Sequence, residues 1–222
     1  MTGIPQRQSL AGQAVDVLRG LVLTGEIAPG ARVNEVDLAQ RMRISRGPLR
    51  EAVRHLISEG LLVYEPHRGT RVRRADAQET RALFELRAAL ECAAAGLAAT
   101  RRTDADLSRL RLVMHDTRLG FESDRRAAYH VDLAFHRAIV AAAASPLIAD
   151  QVRLVQQQVI LLRSRHAIDP GHERASMDDH DLLVAAIGAR DSAEAARIMA
   201  VHLDRVRDQM LATLEEGQGG VG

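Results

Sequence analysis

From Asp76 to the C-terminus the chain repeats one pattern: apolar side chains fall three and four residues apart, interrupted only where Gly, Pro, Ser or Asp gather. That is the helical period, so every segment in this stretch reads as helix. Phe, Trp and Tyr make up only 2% of the 222 residues while alanine is abundant, which favours helices packed through small side chains and argues against a sheet-rich sandwich. Asp76-Ala-Gln-Glu79 and Asp191-Ser-Ala-Glu194 read as capping boxes that open helices. The periodicity predicts six helices, over about 76–100, 103–122, 123–144, 146–166, 172–189 and 191–216. Short links between them make an antiparallel six-helix bundle covering residues 76–222.

The first 75 residues follow a different plan. Apolar positions from Leu10 to Val22 mark a helix over 9–24 that Gly25 ends, and Pro29-Gly30 marks a turn before a short strand at 31–33. Asn34 caps a helix over 35–41, and Ser45 caps another that reaches Glu59 and stops at Gly60. Two strands, 61–65 and 70–74, flank the tip Pro66-His67-Arg68-Gly69. Helix, helix-turn-helix and hairpin together predict a winged helix-turn-helix over residues 1–75, so the fold class is mostly α with two domains.

Charge divides along the same boundary. Residues 1–75 hold twelve arginines against seven carboxylates, and residues 76–222 hold eighteen against twenty-two, so the small domain is the basic one. Every basic residue is arginine and none is lysine, which makes the planar guanidinium the means of recognising phosphate or carboxylate. The single cysteine, Cys92, excludes an internal disulfide framework and a Cys-rich zinc module and reads as a small core residue. The N-terminus carries no charged-then-apolar leader and no stretch approaches eighteen apolar residues, so the chain is expected to be cytoplasmic with no membrane partner.

Within Ser45-Arg46-Gly47-Pro48-Leu49-Arg50-Glu51-Ala52-Val53-Arg54, the arginines at 46, 50 and 54 line one helix face while Leu49, Val53, Leu56 and Ile57 form the opposed apolar face. One face packs and the other is placed to read a DNA groove, where an arginine grips guanine O6 and N7 and discriminates bases by about 1–3 kcal/mol. Ser45 and the helix N-terminus suit a phosphate, Pro48 fits the first turn, and Gly47 leaves the backbone open to close approach. His67 and Arg68 at the hairpin tip are expected to reach the adjacent minor groove or backbone.

Val17-Leu18-Arg19, Gly25-Glu-Ile-Ala-Pro29-Gly30, Leu38-Ala39, Ser45-Arg46-x-Pro48-x-Arg50-Glu51-Ala52, Glu59-Gly60-Leu61 and Arg68-Gly69-Thr70-x-Val72 resemble the signature of GntR-type transcription regulators over about residues 10–74. The resemblance implies a dimer on a palindromic double-stranded operator, contacted through Ser45, Arg46, Gly47, Arg50 and the wing near Arg68 and Gly69. Val36 stands where many relatives carry a DNA-contacting arginine, and Gly47 replaces their more frequent threonine.

In the helical part, Ala128, Asp132, Phe135, His136, Ile139 and Ala143 share one stripe, so a carboxylate and an imidazole one turn apart interrupt an apolar face. His180 shares a face with Leu183, Val184 and Ile187, and His202 with Ala195, Ile198, Met199 and Val206. Asp132, His136, His180 and His202 therefore form a candidate ligand set for a divalent transition metal, zinc first, with nickel, manganese or iron as alternatives. Arg87 lies beside an apolar stripe and needs a partner: either Glu91 neutralises it from four residues on, or it clamps an effector carboxylate. Gln158 and Arg163 are further effector-binding candidates. Arg87-x-x-Leu90-Glu91, Asp132-x-x-Phe135-His136-x-x-Ile139, His180-x-x-Leu183 and His202-Leu203 are similar to the FCD ligand domain of the FadR-like branch over about residues 76–212. The resemblance implies a divalent metal with a small organic acid, a carboxylate or hydroxy acid, bound beside it. Asp179 stands where that branch usually has glutamate.

The expected function is a homodimeric regulator, in the first place a repressor, whose operator binding such an acid controls. Two other readings use the same residues: a metal-dependent hydrolase, for which no general base is evident, and a bundle whose histidines only fix register.

Overall fold

The computed structural model describes residues 9–123, 125–163 and 170–219, with the side chains of 120–132, 170–173 and 216–219 outside that description. Its elements run α1 (Leu10–Leu23), α2 (Glu35–Met42), α3 (Arg46–Ser58), β1 (Leu62–Glu65), β2 (Gly69–Val72), α4 (Ala77–Arg101), α5 (Asp104–Ser123), α6 (Arg125–Ala142), α7 (Pro146–Arg163), α8 (Pro170–Gly188) and α9 (Ser192–Gly219). The mostly helical class and the winged N-terminal part agree with the sequence reading. Two compact units form, one of Met1–Arg74 with Gln157–Arg165 and one of Ala75–Gln156 with His166–Gly222.

The N-terminal unit is set by its caps and one apolar seam. Ser9 accepts from the Gly12 N–H at 3.0 Å and Asn34 from Val36 and Asp37, so α1 and α2 begin where their side chains satisfy otherwise orphaned donors. Ala14, Leu18 and Val22 of α1 are buried with Leu49, Ala52, Val53 and Leu56 of α3, and truncating one of these leucines to alanine costs about 2–5 kcal/mol. Arg19 on α1 forks onto both oxygens of buried Glu59 at 3.0 Å, tying α1 to the end of α3.

The hairpin is antiparallel, with Leu62 opposite Val72 and Glu65 opposite Gly69. The strand predicted at 31–33 shrinks to a single bridge between Arg32 and Arg71, because the turn at Gly30 and the α2 cap at Asn34 leave no room for more. Periodicity assigns all of 146–166 to the bundle, yet Leu161 is buried in the N-terminal core and Gln157–Arg165 belong to that unit. A helical stripe reveals that a face is buried but not which core receives it.

In the C-terminal unit α4 and α9 lie close because small residues let their backbones approach. Ala94, Ala95, Ala98 and Ala99 of α4 share a core with Ala195, Ile198, Met199 and Leu203 of α9. A Cβ at Gly96 would stand 3.0 Å from Ser192 Oγ and 3.3 Å from the Ser192 carbonyl, so any larger residue there would press on the start of α9. The Asp76 capping box is complete, with Glu79 N–H donating to Asp76 at 2.8 Å and Asp76 N–H to Glu79 at 3.2 Å. The second predicted box is only half made. Asp191 accepts from the Glu194 N–H at 3.0 Å, but the Glu194 carboxylate turns to Arg197. Among the described residues, no helix is long and apolar enough to cross a membrane.

Candidate nucleic-acid interface and metal centre

The α3 helix carries the division expected of a docking helix. Leu49, Ala52, Val53 and Leu56 are buried, while Arg46, Arg50 and Arg54 are exposed, so packing fixes the back of the helix and leaves three guanidinium groups in solvent. Arg50 Nε lies 3.5 Å from Glu35 on α2, an exposed contact that an external anion can replace. Ser45 stands exposed at the N-cap in extended conformation, yet its side chain makes no capping bond and so leaves the start of α3 without a side-chain cap. A Cβ at Gly47 would meet nothing within 4 Å, so its bare backbone serves no internal packing.

At the hairpin tip the Arg68 N–H donates to the Glu65 carbonyl at 3.1 Å, closing a tight turn in which His67 takes a positive φ of 63° and Gly69 one of 79°. That turn exposes His67 and Arg68, the latter at 75%.

Three imidazoles meet inside the C-terminal unit. His136 on α6, His180 on α8 and His202 on α9 are all buried, and one ligand atom from each lies within 4.8 Å of the others. Their ring centroids are 4.8–5.4 Å apart, and Phe135 stacks on His180 at 4.2 Å. The side chain of Asp132, the predicted fourth ligand, lies outside the described residues.

Glu91 on α4 organises this cluster. Its Oε2 lies 2.5 Å from His136 Nδ1, while its Oε1 accepts from Arg87 Nε at 2.8 Å and from Gln156 Nε2 at 3.4 Å. Burial raises the carboxyl's pKa, but the charges of Arg87 and His136 and their hydrogen bonds outweigh it and hold Glu91 well below the ordinary carboxylate range. An ionised carboxylate only accepts, so in this contact His136 donates from Nδ1, and when the ring is neutral its Nε2 carries the lone pair. That Nε2 is buried with no hydrogen-bond partner among the described residues. Asp179 does a related job for His202, with Oδ2 at 3.4 Å from Nδ1 while pairing with Arg205. A lone pair oriented by a carboxylate and aimed at two more imidazoles is a donor set that fits a borderline divalent cation.

The effector candidates divide between the two units. Arg87 is closed into its pair with Glu91 and lies 5.6 Å from the Phe84 ring centre, which answers its need for a partner without an effector. Gln158 donates to the Glu59 carbonyl at 3.0 Å within the N-terminal unit, and Arg163 belongs to the same stretch of α7, so neither lies in the unit that holds the histidines. The residue that does is Gln156, two positions away and buried. It shares a three- and four-residue stripe with buried Val152 and Val155, the same signal that exposed the histidines. Arg205 gave no such signal, because its stem lies half-exposed on α9.

Residues 82–205 match the FCD domain family, and residues 10–72 match the family of bacterial regulatory proteins, gntR family. The chain is 31% identical over 183 residues to the Nta operon transcriptional regulator of Aminobacter aminovorans, covering 82% of this chain and 86% of that one. It is 26% identical to the HTH-type transcriptional repressor RspR of Escherichia coli K12, covering 97% of this chain and 95% of the other. Among solved structures, E. coli McbR/YncC superposes with a TM-score of 0.77 at 24% identity, over 95% of this chain and 99% of that one, which shows a common fold.

Proposed function

The chain belongs to the gntR family of bacterial regulatory proteins and carries an FCD domain, so it is a DNA-binding transcriptional regulator, and from that premise we propose that a metal-assisted acid site controls its operator binding. Its relatives and fold are those of transcriptional regulators rather than enzymes, which removes the hydrolase reading. A homodimer presents two copies of α3 to a palindromic operator. Arg46 and Arg50 read base edges, Ser45, Gly47 and Arg54 position the helix on the backbone, and His67, Arg68 and Gly69 anchor the wing. The name of the E. coli relative supports repression as the sense of regulation.

The observation that carries the effector reading is the buried Nε2 of His136, without a hydrogen-bond partner among the described residues, in a cluster with two further imidazoles. His136, His180 and His202, with Asp132 as the fourth ligand, would hold a divalent ion, zinc first and nickel, manganese or iron otherwise. When bound, that ion supplies a Lewis-acid position for a carboxylate or hydroxy-acid oxygen. The chain's own residues hold the donors ready: Glu91 fixes the His136 tautomer, Asp179 braces His202, and Phe135 limits rotation of His180. An acid that prefers one arrangement of the domain over another then shifts DNA affinity, and DNA shifts affinity for the acid by the same factor.

Elemental analysis of purified protein, with a thermal-shift screen of carboxylates and hydroxy acids with and without chelator, tests this reading. Stoichiometric divalent metal, lost in His180→Ala together with the acid-induced shift, is the expected result. Protein that purifies without metal and takes none up leaves the histidines a purely structural role and overturns it.

A further inference from the structure

The turn between α2 and α3 holds a residue that its own domain does not explain. Arg43 ends α2 at φ 54° and ψ 42°, in the left-handed region, with its N–H donating to the Ala39 and Gln40 carbonyls. Glycine takes that conformation without penalty, whereas a Cβ crowds the neighbouring carbonyl. A helix end selected for stability alone would carry glycine or asparagine here. The Arg43 side chain is exposed, and among the described residues its guanidinium has neither an ion pair nor a hydrogen bond.

Arg190 provides the internal comparison. It adopts the same backbone conformation, φ 61°, after α8, but its guanidinium donates to the Thr100 carbonyl at 3.1 Å and the Arg102 carbonyl at 3.2 Å. There the side chain offsets the backbone's cost within the protein. Arg41, two residues before Arg43, also has a partner, Glu26, at 2.6 Å. Arg43 keeps the unfavourable backbone and gains no side-chain bond from the described residues. It presents a cation two residues ahead of Ser45, whose hydroxyl leaves α3 uncapped, and three ahead of exposed Arg46.

We propose that the Arg43 guanidinium binds a backbone phosphate of the operator at the edge of the groove that α3 enters, so that binding DNA recovers what the turn loses in the free protein. The contact is to phosphate rather than to a base. It adds affinity and fixes register without reading sequence. The inference rests on α3 being the recognition helix.

Full-length Arg43→Gly and Arg43→Lys are compared with the wild-type chain by fluorescence anisotropy on a duplex that the wild type has selected from a random pool, across a range of NaCl concentrations. Arg43→Gly is expected to raise Tm by roughly 2–4 °C. The same variant is expected to lose affinity on the order of tenfold and to flatten the slope of log affinity against log salt by about one per protomer. Arg43→Lys keeps the cation and is expected to keep the slope. A wild-type slope and affinity in Arg43→Gly overturn the phosphate contact and leave the α3 reading intact. A lowered Tm in that variant overturns the argument from the backbone. Wild-type protein that selects no duplex overturns both this inference and the reading it rests on.

Discussion

Exposed arginines of the N-terminal unit and buried arginines of the C-terminal unit put the same side chain to different ends. In the N-terminal unit Arg46, Arg50, Arg54 and Arg68 stand in solvent over an apolar backing. In the C-terminal unit Arg87 is buried against Glu91, Arg102 donates to the Ile187 and Gly188 carbonyls, and Arg101 donates to the Ala143 carbonyl at 3.1 Å. These last arginines donate to carbonyls at helix C-termini, beside the Arg190 N–H that also reaches Ile187. A chain without lysine thus sets one kind of cation both in solvent and in its core, and in the proposed function the exposed set recognises DNA while the buried set builds the fold. Composition alone does not separate the two sets.

If that division is correct, damage to the inward set should fall on stability and leave DNA contacts in place. The largest effect is expected for Glu91→Ala, which strands Arg87 as a buried charge and removes the partner of His136, at a cost of about 3–5 kcal/mol. Thermal denaturation measures it, and a double variant, Arg87→Met with Glu91→Leu, should recover most of the loss. A small change in Tm for the single variant would mean that the pair is solvated after all. Arg102→Ala is expected to cost about 1–3 kcal/mol, since the Gly188 carbonyl at the end of α8 loses its arginine donor and the Ile187 carbonyl keeps the Arg190 N–H alone. Operator affinity per folded molecule should not change, and a selective loss of DNA binding would break the comparison. The smallest effect concerns Cys92, whose thiol is pushed up to about 11, first by burial and then by Glu91 and Asp204. Alkylation should be slow at neutral pH and accelerate only as the pH approaches that value; the rate of an ordinary exposed thiol at pH 7 would contradict this.

The residues most legible in the sequence were those whose environment follows from period alone. The apolar back of α3, the Asn34 and Asp76 caps and the turn at Gly60 depend on neighbours within a few positions, and local chemistry dictates them. The inward histidines were legible for the same reason, since each interrupts an apolar stripe. Contacts between distant segments were not. Nothing local distinguishes Gln156, which reaches Glu91, from Gln158, which reaches the Glu59 carbonyl, until the helix is assigned to two different cores. Glu91 was readable as the partner of Arg87 at four-residue spacing, whereas its bond to His136, forty-five positions away, depends on how α4 meets α6. Arg43 was hidden for another reason: its left-handed backbone breaks the preference that a sequence reading relies on.

The central claim is that DNA recognition resides in guanidinium groups that the fold holds out of its own core. Its most direct test is the affinity of Arg50→Ala for a duplex selected by the wild-type chain, measured beside far-ultraviolet circular dichroism and metal content. The account predicts a loss of about 1–3 kcal/mol per half-site with helix content and bound metal unchanged. Wild-type affinity in that variant, or a loss of binding that simply follows a loss of helix, would contradict it.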